Sequence, residues 1–449
     1  MINNINSIKD LCVFIWYLED KYDLINFEID EVKIWQYLRM EIYYELAEKI
    51  GVLEKRHESQ KTTSILLMNA FSLLKNLFIA NPFFSSKRNI DTLIFTHSRS
   101  KKINNKFEDI YTYYLSDELK GRKQNYLCFE KPFQANHIRS RDKHTQYLDF
   151  ILSASVLYGK LYKIKQKKHL LFIQNIEKEI FEATNISIDL SSLFKHNIGR
   201  FKLANKLYLM LFKKLKPKVI YSVATYSYLG DMIAAAKSLR IKTIELQHGV
   251  VSKYHMGYSF SKKQKLLYYA DEFYSWGKFW NSSVQNAFDQ IHVKGFEYFR
   301  NNKTANDIVK KSKNVLILSQ AALGQKIMQE TLKYMDSFSG YQILYKLHPE
   351  EYQMYKSYSD YKTLSLHKNI QFIEECNLYE MMAKSEVQIG VFSTALYEGL
   401  GLSCNTFLYN LNGMEYMQDL IDSEYATVLS VGIDIRLKEF KYNSVNNFF

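Results

Sequence analysis

Three short constellations in this chain carry side chains able to do chemistry, and each closes an apolar, β-branched run. The most telling is Phe392-Ser393-Thr394, with Glu398 one turn further on, after Val387-Gln-Ile-Gly-Val391. A hydroxyl pair at a helix N-terminus suits phosphate, because unpaired backbone N–H groups and the positive end of the helix dipole point at the ligand. Glu398 falls on the same helix face as Thr394, where a carboxylate can accept both hydroxyls of a ribose. Strand, phosphate turn and ribose-gripping Glu together describe a nucleotide-sugar site. The second constellation is Lys346-Leu-His348-Pro349. Lys346 and His348 offer donors to a diphosphate, and Pro349, with its fixed φ and no N–H, ends the strand and sets how His348 is presented. Ser319-Gln320 closes a neighbouring run in the same way. The third is Gln247-His248-Gly249, where Gly249 permits a turn other residues resist and an imidazole titrating near neutrality can deprotonate an acceptor hydroxyl.

Each has a plainer reading. Ser393 alone is as readily a helix cap, a lone His is more often structural, and His248 can serve only to hydrogen-bond across an interface. It is the company they keep that points to a site. A weaker signal, His97-Ser-Arg99 with Asp109 downstream, supplies a second base candidate and an acceptor-side cation, and Lys253 sits in a loop that can close over a cleft. The expected catalytic set is therefore His248, Asp109 and His97. Ser319, Gln320, Lys346, His348, Pro349, Ser393, Thr394 and Glu398 are expected to hold the donor, and Arg99, Gln247 and Lys253 the acceptor. No metal or cofactor is expected.

Elements must place these groups together. Residues 1–60 have helical spacing through Trp16, Tyr17, Ile34, Trp35, Leu38, Ile42 and Leu46. The most apolar stretch, 64–84, is short for a bilayer span, which needs ~20 residues; it reads as an interfacial or buried helix. Strands are expected at Thr92–Thr96, Asn125–Phe129, Lys218–Ser222, Lys242–Leu246, Glu272–Trp276 and Ile291–Gly295. Helices are expected over Phe107–Leu119, 145–183 and Leu229–Leu239. After a polar linker, Asn301–Lys313, a second series follows at Asn314–Leu318, Gln342–Leu347, Ile370–Ile373, Val387–Val391 and Thr406–Leu408, with helices such as Leu378–Lys384 between. Alternation of strand and helix implies parallel sheets with helices on both faces, and ligands in such sheets bind beyond the carboxyl ends of the strands. The expected fold is α/β: two Rossmann-like domains facing across a cleft, with an N-terminal helical extension. The boundaries are 1–90 (helical, a membrane-associating candidate), 91–300 (acceptor domain) and 301–449 (donor domain).

With 24% charged and 47% hydrophobic residues in 449, the chain is a globular protein of two or three domains. Four scattered cysteines without CxxC spacing argue against a disulfide framework or structural zinc. The first ten residues lack the layout of a secretion signal, and a cytoplasmic protein is expected. A net charge of +13 implies an anionic partner. The basic residues concentrate at Lys160–Lys168 and Arg200–Lys218 with apolar residues interleaved, as solvated helix faces or patches for a membrane surface or acceptor phosphate. There is no Walker loop, no GxGxxG after a strand, no HExxH, no GxSxG and no convincing Asp-x-Asp for Mn or Mg.

Gln247-His248-Gly249, Lys346-x-His348-Pro349 and Phe392-Ser-Thr-x-x-x-Glu398-Gly399 resemble the motifs of GT-B glycosyltransferases that build bacterial capsule, O-antigen and teichoic-acid polymers. The resemblance covers about residues 215–412, and the first 200 residues match only in general organisation. It implies that His348, Ser393 and Thr394 contact the donor phosphate, Glu398 the ribose, and that His248 is the base or an acceptor contact. The Asp/Glu-Asp/Glu-Gly motif of the sialyltransferase groups is not evident, which speaks against CMP-sialic acid. The expected activity is metal-independent, inverting sugar transfer from a nucleotide sugar to a lipid-linked or growing surface-polysaccharide acceptor, peripherally at the inner face of the cytoplasmic membrane. CDP-glycerol-type glycerophosphate transfer is the alternative; nucleotide-sugar 2-epimerisation and basic nucleic-acid binding stand further back.

Overall fold

The computed structural model describes residues 5–53, 75–133, 136–164, 169–304, 310–433, 435 and 447–449. The buried-type runs become two parallel sheets. β1 (Thr92–Phe95) is followed by an antiparallel hairpin, β2 (Ser100–Ile103) and β3 (Lys106–Asp109). β4 (Tyr126–Glu130), β5 (Thr145–Tyr147), β6 (Val219–Val223), β7 (Lys242–Leu246), β8 (Glu272–Ser275) and β9 (Gln290–Val293) join β1 in the order β5-β4-β1-β6-β7-β8-β9. β10 (Ser312–Leu318), β11 (Gln342–Lys346), β12 (Ile370–Ile373), β13 (Ser385–Gly390), β14 (Asn405–Leu408) and β15 (Ala426–Val428) form the second sheet, β12-β11-β10-β13-β14-β15. Both orders reverse beside the first strand of their series, and such a switch point is where an open sheet binds ligands. In the first sheet the loops after β1 and β6 meet there; in the second, those after β10 and β13. Two Rossmann-like sheets with an N-terminal helical region make the GT-B arrangement the sequence led us to expect.

The N-terminal helices Ile8–Lys21 and Ile34–Ile50 are capped by Ser7, which accepts from the Asp10 N–H, and by Gly51 at a φ of 86°. Ile34, Trp35, Leu38, Ile42 and Leu46 are buried, while Tyr17 is exposed. These helices share one continuous core with the first sheet and with Met256, Tyr258 and Phe260. A buried ion pair fixes that union. Arg39 donates from Nε to Glu19 Oε1 at 2.6 Å and from Nη2 to Ser259 O at 2.8 Å, and it also donates to Met256 O. Its guanidinium lies 3.9 Å from the Phe260 ring centre, and Trp35 Nε1 donates to the same Glu19 oxygen at 2.8 Å. The helices therefore grip the stretch that continues from His248-Gly249.

Three expectations change. The helix expected from Phe107 starts at Tyr113, because Asn104 and Asn105 take φ values of 48° and 64° and turn the chain into the hairpin. The single helix expected over 145–183 is a strand followed by helices Asp149–Leu161 and Leu170–Thr184. Thr145, Gln146 and Tyr147 are all buried and pair with Cys128–Glu130, so sheet burial overrides helical spacing there. The strand β15 was not foreseen. Of the apolar stretch 64–84, residues 64–74 lie outside the described residues, as do 165–168 of the first basic run and 305–309 of the expected linker. Among the described residues no helix is long and apolar enough to cross a membrane. The chain ends against the first domain: Trp280 Nε1 donates to Phe448 O at 2.8 Å and Phe449 stacks on Phe299 at 4.1 Å.

Arg39→Met should lower the unfolding free energy by about 3–5 kcal/mol, since it leaves the Glu19 carboxylate buried and unpaired. The double variant Glu19→Gln/Arg39→Met should recover part of that loss in urea titrations. A single variant as stable as the parent would show that the pair contributes nothing.

Candidate functional site

The carboxyl ends of the two sheets face each other, and two turns there, one after β7 and one after β13, are pinned by side-chain amides. In the first half, Gln247 donates from Nε2 to Gly249 O at 2.9 Å and accepts from the Trp276 N–H at 2.8 Å. In the second, Gln320 accepts from the Phe392 N–H at 3.0 Å and donates to Phe392 O. Each glutamine spends its amide on the backbone of a chemistry-bearing turn. The turns meet: a Cβ added to Gly249 would stand 3.6 Å from Thr394 Oγ1.

His248 projects from the first turn, half-buried, 5.6 Å from the His97 ring and 6.1 Å from Tyr111, centre to centre. Its Nδ1 lies 3.4 Å from Tyr258 OH and its Nε2 3.3 Å from Tyr226 OH. Tyr258 has one proton and donates it to Glu245 Oε1 at 2.6 Å, so at His248 its oxygen accepts. The hydrogen-bond network thus assigns the imidazole proton to Nδ1 and leaves Nε2 basic. Glu245 is buried at the end of β7, also holds the Thr225 N–H at 3.2 Å, and is raised by burial to about 7. Burial, then the neighbouring His97, His255 and Arg99, push His248 well below the usual imidazole range, so it is neutral at pH 7. Sequence reasoning named neither Glu245, Tyr258 nor Tyr226 as site residues; only the fold brings residues 225–258 onto one imidazole.

His97 follows β1. Its Nδ1 accepts from the Arg99 N–H at 3.1 Å, leaving the ring an Nε2–H donor, and burial lowers it to about 4. Asp109 lies buried beneath this turn. Its carboxylate accepts from His97 N at 2.9 Å, Tyr111 N at 3.0 Å and Thr112 Oγ1 at 2.6 Å, while burial raises it to about 6. It ties the β1 turn to the β2–β3 hairpin. Arg99 donates from Nη1 to Tyr111 OH at 2.9 Å, and its side chain remains accessible to solvent. Burial, then Lys346 and Arg99, lower His348, and Arg99 with Tyr379 opposes the burial that raises Glu398. One first-half cation therefore faces both the expected phosphate histidine and the expected ribose carboxylate. Lys253 forms a surface ion pair with Asp422 at 3.3 Å, linking the halves away from this cluster.

In the second half, Ser393 caps the helix Thr394–Gly401, its Oγ accepting from the Ala395 N–H at 3.2 Å. Glu398 is buried and accepts from Tyr379 OH at 3.0 Å. His348 is half-buried; Glu351, itself buried, accepts its N–H at 2.8 Å and the Ser319 hydroxyl at 2.9 Å. His348 Nδ1 accepts from the Glu350 N–H at 3.3 Å, and Pro349 opens the short 3-10 turn that shapes this loop. Lys346 donates to Glu374 O at 2.6 Å and to Tyr352 OH at 3.2 Å, so in this conformation its ammonium tethers the β11 and β12 ends. The structure thus gathers His97, Arg99, His248, His348, Thr394 and Glu398 about one cleft. Asp109, Gln247, Ser319 and Gln320 lie behind them as supports. A cavity of about 380 Å³ adjoins Ser393 and Thr394, walled by Met40, Tyr44, Val250, Leu323, Phe392 and Met417, with His255 in its lining. A larger groove of about 880 Å³ lies against the first sheet; of the expected site residues only Gln247 borders it.

No family model and no curated protein matches this sequence. Solved structures similar to it include UDP-GlcNAc 2-epimerase from Methanocaldococcus jannaschii in complex with UDP-GlcNAc and UDP. Identity there is 11% and the TM-score 0.45, over 80% of this chain and 95% of that one. MurG from Acinetobacter baumannii (11% identity, TM-score 0.43, 80% and 89% covered) and Medicago truncatula UGT71G1 complexed with UDP-glucose (9%, 0.40, 80% and 88%) are further examples. At these identities and scores the likeness says nothing of what this chain does.

Because the folded state disfavours protonated His97, His248 and His255, the stability they leave intact above about pH 6.5 drains as the pH falls toward about 4. Urea unfolding at stepped pH should show this loss, and it should shrink in His248→Gln and His255→Gln. A pH slope unchanged in both variants would contradict the burial-driven shifts.

Proposed function

We propose that this protein is a metal-independent, inverting glycosyltransferase that moves a sugar from a nucleotide donor to a lipid-linked or growing surface-polysaccharide acceptor of the capsule or O-antigen kind. The observation that carries the reading is the meeting of the Gln247-His248-Gly249 and Phe392-Ser393-Thr394 turns across one cleft. A neutral imidazole stands on one side, and on the other a helix N-terminus with a buried Glu one turn along.

In this reading the nucleotide lies along the carboxyl ends of β10, β11 and β13. Glu398 accepts the ribose hydroxyls, and the phosphate rests on the Ser393 turn at the positive end of its helix, where His348 and Arg99 face it. An acceptor hydroxyl displaces Tyr226 OH from His248 Nε2, which takes its proton as the acceptor oxygen bonds to the anomeric carbon. The bond from that carbon to the phosphate oxygen breaks, and its electron pair leaves on the nucleotide. Arg99 and the oriented dipoles stabilise the departing charge where a cation otherwise would. Proton abstraction of this kind contributes about 10²–10⁴-fold to rate.

His248→Ala should therefore lower kcat by about 10²–10⁴-fold with donor KM little changed. Glu398→Gln and His348→Ala should instead raise donor KM in radiolabelled transfer assays, with circular dichroism showing the fold intact. Full activity in all three would sink the assignment. A polymer product containing phosphorus would assign glycerophosphate transfer to the same cleft instead.

A further inference from the structure

The cavity of about 380 Å³ opens beside the phosphate turn, and of the expected site residues only Ser393 and Thr394 line it. Three parts of the chain build it. The N-terminal helix Ile34–Ile50 supplies Met40 and Tyr44, the loop after β7 supplies Val250 and His255, and the second half supplies Leu323 and Met417. That helix is held from both sides. Arg39, the residue before Met40, is paired with Glu19 and bonded to Ser259 O, and Tyr43 OH meets Tyr416 OH of the second half at 2.5 Å. The walls are therefore fixed in place by the protein itself. A volume at the small end of the range for ligand pockets suits one sugar residue.

One polar group in this mainly apolar lining is unsatisfied. His255 borders the cavity, and its buried Nδ1 has no hydrogen-bond partner among the described residues. Burial keeps the ring neutral, so it offers one donor and one acceptor, and a buried polar atom left unpaired is costly. The ring centre lies 5.4 Å from that of Tyr226, whose hydroxyl reaches His248 Nε2 at 3.3 Å. The cavity thus lies within one aromatic ring of the proposed base and shares a wall with the phosphate turn. A group joined to a phosphate on that turn, with its anomeric carbon open to an acceptor at His248, has this space to occupy. We infer that the cavity holds the transferred sugar and selects one with an apolar substituent, a 6-deoxy or N-acetyl methyl, over one hydroxylated at every free carbon. The side chains of Met40, Val250, Leu323 and Met417 gain from contact with a methyl and offer a hydroxyl no good partner, so a hydroxyl turned toward them gives up its water without replacement. His255 supplies the hydrogen bond for a ring hydroxyl instead. This deepens the proposed function and rests on its donor reading.

The test is isothermal titration of the full chain with free UDP, GDP and dTDP, with UDP-glucose, GDP-mannose and dTDP-glucose, and with UDP-N-acetylglucosamine, GDP-fucose and dTDP-rhamnose. For the nucleotide that binds, the deoxy or N-acetyl conjugate should bind at least about tenfold tighter than the fully hydroxylated one. Ala322 also lines the cavity, and Ala322→Trp, which fills it, should erase that preference and leave the free nucleotide bound as before. His255→Phe keeps an aromatic ring and removes its nitrogens; it should weaken the preferred conjugate about fivefold and leave the free nucleotide unaffected. Circular dichroism checks that each variant is folded, and either one alone suffices for the comparison. Equal affinity for the two kinds of conjugate, or a preference that both variants leave intact, overturns the inference while the donor reading stands. So does loss of transfer in Ala322→Trp with its conjugate preference retained, since the cavity then holds the acceptor. Failure of every nucleotide and conjugate to bind overturns the donor reading itself.

Discussion

A guanidinium that no carboxylate neutralises at contact organises the cleft. Arg99 donates to Tyr111 and appears in none of the ion pairs among the described residues, yet its charge reaches His97, Tyr111, His248, Tyr298, His348, Tyr379 and Glu398. Burial is what chiefly keeps the neighbouring imidazoles neutral, and the Arg99 charge adds to it. That charge also holds part of the Glu398 charge against burial. In the proposed reaction the same charge would stand beside both the base and the departing phosphate.

The remaining buried polar groups hold that arrangement still. Gln247 and Gln320 each bond to the backbone of a turn that carries cleft residues, Asp109 fastens the turn carrying Arg99, and Glu351 fastens the His348 loop. Glu245 orders Tyr258, which orders His248. Farther out, Arg39 and Glu19 bind the N-terminal helices to the stretch that carries Tyr258. A preorganised site of this kind costs little reorganisation at the moment of reaction. It also explains why polar side chains so near the cleft are not available to a ligand.

What was legible in the sequence follows from locality. Strand ends and the residues just beyond them are local signals, so the runs before Ser319, Lys346, Ser393 and Gln247 could be read, along with the α/β class and its two series. What required the fold is of two kinds. The hairpin at Asn104-Asn105 was written in its turn residues, but those were overshadowed by the apolar spacing that follows them. Tyr226, Glu245 and Tyr258 carry no local mark, because their role exists only when β6, β7 and the loop after it converge. Arg99 was legible as a cation and expected to serve the acceptor; only the facing of the two sheets shows it opposite Glu398 and His348.

The most direct measurement is a crystal structure with a nucleoside diphosphate bound, chosen as the nucleotide that most raises thermal stability. The account predicts phosphate oxygens within hydrogen-bonding distance of both the Ser393 turn and the Arg99 guanidinium, with the ribose hydroxyls on Glu398. Phosphate held elsewhere, or Arg99 left turned from it with the domains closed, would contradict the claim that one first-half cation completes the donor site.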